Sequence, residues 1–289
     1  MTASEKQEFD IPYRVISITE KTHKTSYPVI SPSRPALSQA GRTVLITGGS
    51  GGIGYGIALA FAAAGAARVI IVGRDEAKQQ AAAASLAAEA GPGSHTKFEG
   101  RAASPGSPEN IDSLWDALAS EGVLVDVLVL NAAVTDNSLE RSLWARGWES
   151  TWEQFIVHRY LVNVATSAIH EWEAGVNTKA YALTKNSGVL LLQQLARDSP
   201  VSKMQIVSFH PGAILSPGAK NAGATERTLD WDDISLPSSV AIWAASDEAA
   251  FLHGRFMWSA WDVEELRSGP LRERIEQDEN YLRIGVHGV

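Results

Sequence analysis

From Arg42 onward, short unbroken apolar runs alternate with longer stretches rich in Ala and Leu. The runs are Thr43–Thr47, Arg68–Gly73, Asp126–Asn131, Tyr160–Val164, Met204–Phe209 and Arg255–Ser259, with a weaker one at Thr96–Glu99. Runs of this length without strict polar alternation mark strands buried on both faces. Between them, Ile57–Ala64, Gln79–Ala90 and Ala180–Asp198 read as helices. Gly91 is placed to cap the second of these and Pro92 cannot continue it. Strand and helix in regular alternation predict an α/β fold built on a doubly wound parallel sheet. Residues 41–289 form that domain. Residues 1–40 are polar and irregular, with Pro28, Pro32 and Pro35. They read either as an arm lying on the domain, with Val29 and Ile30 as anchors, or as a disordered tail.

The first strand leads directly into Thr47-Gly48-Gly49-Ser50-Gly51-Gly52-Ile53-Gly54, which opens the first helix. Glycines in that context let the backbone turn tightly and approach a pyrophosphate, while the helix behind presents free N–H groups and a positive dipole end. The second strand exits through Val72-Gly73-Arg74-Asp75. An acidic group at this tip accepts hydrogen bonds from a ribose 2′-OH, whereas a basic one pairs with a 2′-phosphate. Arg74 comes first and carries the planar fork suited to phosphate, which points to NADP(H) over NAD(H). A solvated surface arginine beside Asp75 is the plainer alternative.

Tyr181-Ala182-Leu183-Thr184-Lys185 places a phenol and an ammonium four residues apart, on one face of a helix. A free phenol, with a pKa near 10, exchanges protons poorly at neutral pH. A neighbouring ammonium is expected to lower that pKa and make Tyr181 a workable proton donor to a carbonyl.

The spacing T-G-x-x-x-G-x-G followed by Y-x-x-x-K resembles the short-chain dehydrogenase/reductase family, over roughly Arg42 to Ser259. The resemblance implies a Rossmann-type sheet of strand order 3-2-1-4-5-6-7. It implies cofactor contacts from Thr47, Gly48, Ser50, Gly52, Ile53, Gly54 and Arg74, and from Tyr181 and Lys185. Asp126 to Ala133 is similar to the family's fourth strand, and places Asn131 and Ala132 along the cofactor. His210-Pro211-Gly212-Ala213-Ile214-Leu215-Ser216 resembles the segment beside the nicotinamide, adding Pro211, Gly212, Ile214 and Ser216. The tail from Gly254 to Leu266 is similar to fungal members found in secondary-metabolite pathways.

Two departures stand out. The fifth strand ends Asn163-Val164-Ala165-Thr166-Ser167. Alignment on Asn163 puts Thr166 at the family's catalytic serine place, with Ser167 as the alternative, and implies a two-residue insertion between Glu171 and Lys179. A hydroxyl here donates to a substrate carbonyl, although Ser and Thr also simply cap strand ends. The second departure is a shortened fourth helix. Phe155-Ile156-Val157 is followed by His158, where the family has asparagine, and runs straight into the fifth strand. Leu143 to Val157 can still supply a crossover helix. Trp144, Trp148, Trp152 and Phe155 then form one apolar stripe, read as core packing or as an aromatic substrate wall. Losing most of that helix removes much of the family's dimer surface. A monomer or weak homodimer is expected, with an apolar patch beside the helix that carries Leu183, Leu190, Leu191 and Leu195.

Composition narrows the remaining possibilities. A net charge of −8 argues against nucleic acid or an acidic membrane as the main partner. Cysteine is absent, so disulfides, thiolate metal sites and cysteine nucleophiles are excluded. No apolar run approaches the ~20 residues of a membrane span, and the N-terminal region lacks the order of a signal peptide. A cytoplasmic location is expected. The histidines show no metal-ligand spacing and no metal is expected. Two functions follow. One is an NADP(H)-dependent oxidoreductase interconverting a carbonyl and an alcohol on a small molecule. The other is a redox-silent relative serving as an isomerase, cyclase or binding protein.

Overall fold

The computed structural model describes residues 15–104, 107–132, 159–171, 179–221 and 223–286. Seven parallel strands form one sheet in the order β3-β2-β1-β4-β5-β6-β7. They are β1 (Thr43–Thr47), β2 (Arg68–Gly73), β3 (Lys97–Ala102), β4 (Val127–Leu130), β5 (Arg159–Val164), β6 (Met204–His210) and β7 (Arg255–Trp258). The predicted order and the doubly wound Rossmann-type architecture are therefore observed.

Alternate side chains of each strand go to opposite faces. Val44 and Ile46 join Phe61, Leu86, Val129, Val162 and Trp243 in the larger core, under α1 (Gly52–Ala63), α2 (Glu76–Ala90) and the helix Ser235–Ala244. Leu45, Ile70 and Val72 pack with Trp115 and Leu118 on the other face, under α3 (Pro108–Ser120). Farther along that face, Leu161 and Ile206 meet Leu192 and Ala196 of the helix Lys179–Asp198.

The third strand is longer than its weak apolar signal suggested. It is an edge strand in which Lys97 and Arg101 both pair with Glu99, at 2.7 and 2.8 Å. Charge on an edge protects it from pairing with other chains, and also hides it from a hydrophobicity reading. Gly100 lets α2 lie close, since a Cβ there would stand 2.4 Å from the Gln79 carbonyl carbon.

Residues 15–40 run along the domain. Ile30 and Leu37 are wholly buried in the larger core, and Val29 packs against it. His23 bonds Asp262 at 2.8 Å and stacks on Tyr27. The predicted crossover helix, its tryptophan stripe, His158 and the insertion before Lys179 lie largely or wholly outside the described residues.

Candidate active site

The C-terminal ends of β1, β4, β5 and β6 bring the predicted site residues to one edge of the sheet. Between β1 and α1 the glycine loop is fixed by close packing. Gly48 has φ +69°, a backbone region that side chains rarely adopt. A Cβ on Gly54 would lie 2.5 Å from both Asn131 Nδ2 and the Gly48 carbonyl oxygen. Asn131 itself, at the end of β4, donates from Nδ2 to the carbonyls of Thr47 (3.0 Å) and Gly48 (3.2 Å). The Thr47 hydroxyl accepts from the amides of Asn131 and Ala132, both at 3.0 Å. Thr47, Gly48, Asn131 and Ala132 thus act as one bracket holding the loop open.

The first turn of α1 has no side-chain cap and no acidic residue. Its orphan N–H groups and its dipole suit an anion, and the 12-residue helix is long enough for that dipole to matter. Ser216 and Pro217, beyond β6, come up against Gly52, whose Cβ would meet Pro217 Cδ at 3.3 Å. The Ser216 hydroxyl accepts from the Ala219 amide at 3.2 Å, capping a short helix, Pro217–Asn221. Gly212 takes φ +91°, and the Asp232 carboxylate fills the space a side chain would need there. That carboxylate accepts from the Ala213 amide at 2.8 Å, a support absent from the sequence reading. Pro211 and Ile214 are buried beside it. Arg74 is exposed at the β2 exit and lines a cleft of about 280 Å³ together with Arg101, Ala103, Asn110 and Ser113.

Tyr181 and Lys185 lie in the helix Lys179–Asp198 and both turn toward the end of β5. The Thr166 side chain lies close enough to the Tyr181 phenol to act on its acidity. The Lys185 ammonium donates to the Val164 carbonyl at 2.7 Å. Four helical residues rise ~6 Å and two strand residues ~6.6 Å, so Tyr181 faces Thr166 at the same spacing at which Lys185 meets Val164. Thr166 Oγ1 accepts from the Ala168 amide at 3.3 Å, which leaves its own proton for a donated bond. Ser167 differs. It is buried, and its amide donates to His210 Nδ1 at 3.1 Å.

The electrostatics correct one expectation. Burial pushes the Tyr181 phenol above its usual value, with the Thr166 side chain acting the other way. Lys185 does not lower it here. Burial holds the Lys185 ammonium itself down to about 8. At neutral pH Tyr181 is accordingly a protonated phenol. His210, enclosed beside Trp258 at a ring separation of 4.6 Å, is held down to about 3 by burial, with His170 adding to the effect. Among the described residues, no group of three His, Asp or Glu side chains could hold a metal ion.

A family model described as short chain dehydrogenase matches residues 42–158. The chain is 34% identical to a short chain dehydrogenase/reductase of Aspergillus aculeatus, over 93% of this chain and 96% of that one. It is 36% identical to a short chain dehydrogenase/reductase of Claviceps purpurea, over 92% and 93% of the two chains. Among solved structures, it is similar to the Pseudomonas aeruginosa RhlG/NADP active-site complex. The TM-score is 0.65 at 23% identity, covering 78% of this chain and 97% of that one.

Proposed function

The chain belongs to the short-chain dehydrogenase/reductase family, and we propose that it is an NADP(H)-dependent oxidoreductase interconverting a ketone and a secondary alcohol on a small molecule. The observation that carries this reading is the gathering of Tyr181, Thr166 and Lys185 at the end of β5 beside the glycine loop, with Lys185 bonded to Val164. A role in binding alone would not require a phenol and an ammonium lined up beside a hydroxyl donor. For that reason we favour chemistry over a redox-silent binding protein.

The residues present fit a dinucleotide. The uncapped start of α1 and the bracketed Gly48 and Gly54 suit its pyrophosphate. Arg74 suits a 2′-phosphate. NADPH supplies hydride when bound. Thr166 donates a hydrogen bond to the substrate carbonyl oxygen and orients it. Tyr181 hands its phenolic proton to that oxygen as negative charge develops there. Lys185, held on the Val164 carbonyl beside the phenol, would hold ribose hydroxyls of the dinucleotide. Asn131 keeps the loop and the β4 end in register. Pro211, Gly212, Ile214 and Ser216 form the wall beyond β6.

The substrate class we favour is a ketone of fungal secondary metabolism. The resemblance of the Gly254–Leu266 tail and the fungal sources of the relatives support it. No helix among the described residues is long and apolar enough to cross a membrane. Purified protein is expected to oxidise NADPH in the presence of aromatic or aliphatic ketones, followed at the nicotinamide absorbance. Absence of NADPH binding by fluorescence or calorimetry would refute the reading.

A further inference from the structure

Gln79 is a polar residue where the pattern of α2 calls for an apolar one. It lies on the buried face of an alanine-rich helix, alongside Ala82, Ala83 and Leu86, and is 2% exposed. Its side chain reaches out of the core rather than into it. Nε2 donates to the Ser50 hydroxyl of the glycine loop at 3.2 Å. The amide also occupies the side-chain space of Gly73, the last residue of β2, where a Cβ would stand 2.4 Å from Nε2. Gly73 and Gly100 together make room for this residue, the first for its amide and the second for its backbone. Among the described residues, Oε1 is buried with no hydrogen-bond partner. A buried amide left half-paired costs stability that an apolar side chain of the same shape would not.

The amide thus joins the two segments that the proposed function sets around the adenosine end of the cofactor. Because Gln79 Nε2 donates to Ser50 Oγ, the Ser50 proton is left free to donate elsewhere. The Gly73–Arg74 exit is on the other side of the same amide.

We propose that Gln79 is a positioning residue for cofactor choice: its buried amide ties Ser50 to the β2 exit, so that the Ser50 hydroxyl and Arg74 converge as donors on the 2′-phosphate of NADP(H). This rests on the oxidoreductase reading above, and it assigns the discrimination to three residues rather than to Arg74 alone.

The test is the ratio of NADPH to NADH dissociation constants, measured by calorimetry on the intact protein without substrate. Gln79→Met keeps the volume and frees Ser50. It is expected to lower the preference for NADPH about fivefold, the worth of one neutral hydrogen bond. Ser50→Ala is expected to do the same, and the double variant no more than either alone, because both remove one interaction. Gln79→Glu takes the Ser50 proton and adds a negative charge, and is expected to lower the preference by tenfold or more. Thermal melts establish that each variant is folded, and Gln79→Met carries the test if Gln79→Glu does not fold. An unchanged ratio in folded Gln79→Met would overturn the inference while leaving the oxidoreductase reading intact. Additive effects of Gln79→Met and Ser50→Ala would also overturn it. Wild-type protein that binds neither dinucleotide would overturn both.

Discussion

Lys185 donates its ammonium to the Val164 carbonyl at 2.7 Å, two residues before the threonine that faces Tyr181. The lysine is therefore positioned by the strand that also carries Thr166. Burial in that place holds its pKa at about 8, below the usual 10.5. The charged fraction falls as pH rises through 8, and the ability to hold ribose hydroxyls falls with it. NADPH affinity of the wild type should weaken between pH 7 and 9.5. Lys185→Arg stays charged across that range and should flatten the profile, whatever it does to absolute affinity. Dissociation constants across pH, measured on both proteins, check this.

Tyr181→Phe should abolish turnover and leave NADPH affinity within about threefold, because the ring still packs while the proton donor is gone. A loss of at least 100-fold in kcat is expected, the lower range of a general-acid contribution. Retained activity would assign the proton to another group.

Thr166 and Ser167 offer two hydroxyls, and the geometry separates them. Thr166 faces Tyr181, whereas Ser167 is buried with its amide on His210. Thr166→Ala should cost about 100-fold in kcat, as loss of a donor to the developing oxyanion does. Thr166→Ser should restore most of it. Ser167→Ala should leave kcat within a few-fold and act mainly on stability. The opposite ranking would reassign the hydroxyl role to Ser167.

His210 makes the fold sensitive to acid. Its folded pKa of about 3 lies below the unfolded value of 6.5. Between those limits the unfolded chain binds the extra proton, so stability falls as pH drops below 6.5. The slope from this residue approaches ~1.4 kcal/mol per pH unit. His170 and His253 are also held down by burial and add in the same direction. The melting temperature should decline steadily from pH 6.5 toward pH 4. His210→Asn should show a shallower decline, whatever its stability at pH 7.

Assembly follows from the helix Lys179–Asp198. Leu183 is 59% exposed and Leu190 41%, so this face keeps apolar surface uncovered. The shortened crossover read from the sequence leaves less surface to pair with it, and a stable interface needs on the order of 1,000 Å². Light scattering at micromolar concentration should report a monomer or a weak dimer. Leu183→Glu should then leave the mass unchanged. A tight dimer dissociated by that substitution would count against the expectation.

The sequence by itself determined the sheet and the glycine loop, because buried parallel strands must be apolar and a backbone approaching an anion must be glycine. It also determined that Tyr181 and Lys185 share a helix face, which is a matter of spacing alone. It could not measure the polar edge strand Lys97–Ala102, whose charges answer to neighbours brought from other segments, Arg68 and Glu121 among them. Nor could it choose between Thr166 and Ser167, since adjacent hydroxyls differ only in which way the turn after β5 points them. The direction of the Tyr181 pKa was likewise beyond it. A nearby lysine argues for lowering, but burial, which depends on everything packed around the phenol, sets the direction. Gln79 shows the same limit from the other side. In the sequence it is one polar residue in an alanine-rich helix, and only the folded chain places its amide between Ser50 and Gly73. Periodicity and motif spacing are local properties of the chain. Burial, hydroxyl orientation and the partners of a single amide are set by segments far apart in sequence, so only the tertiary structure decides them.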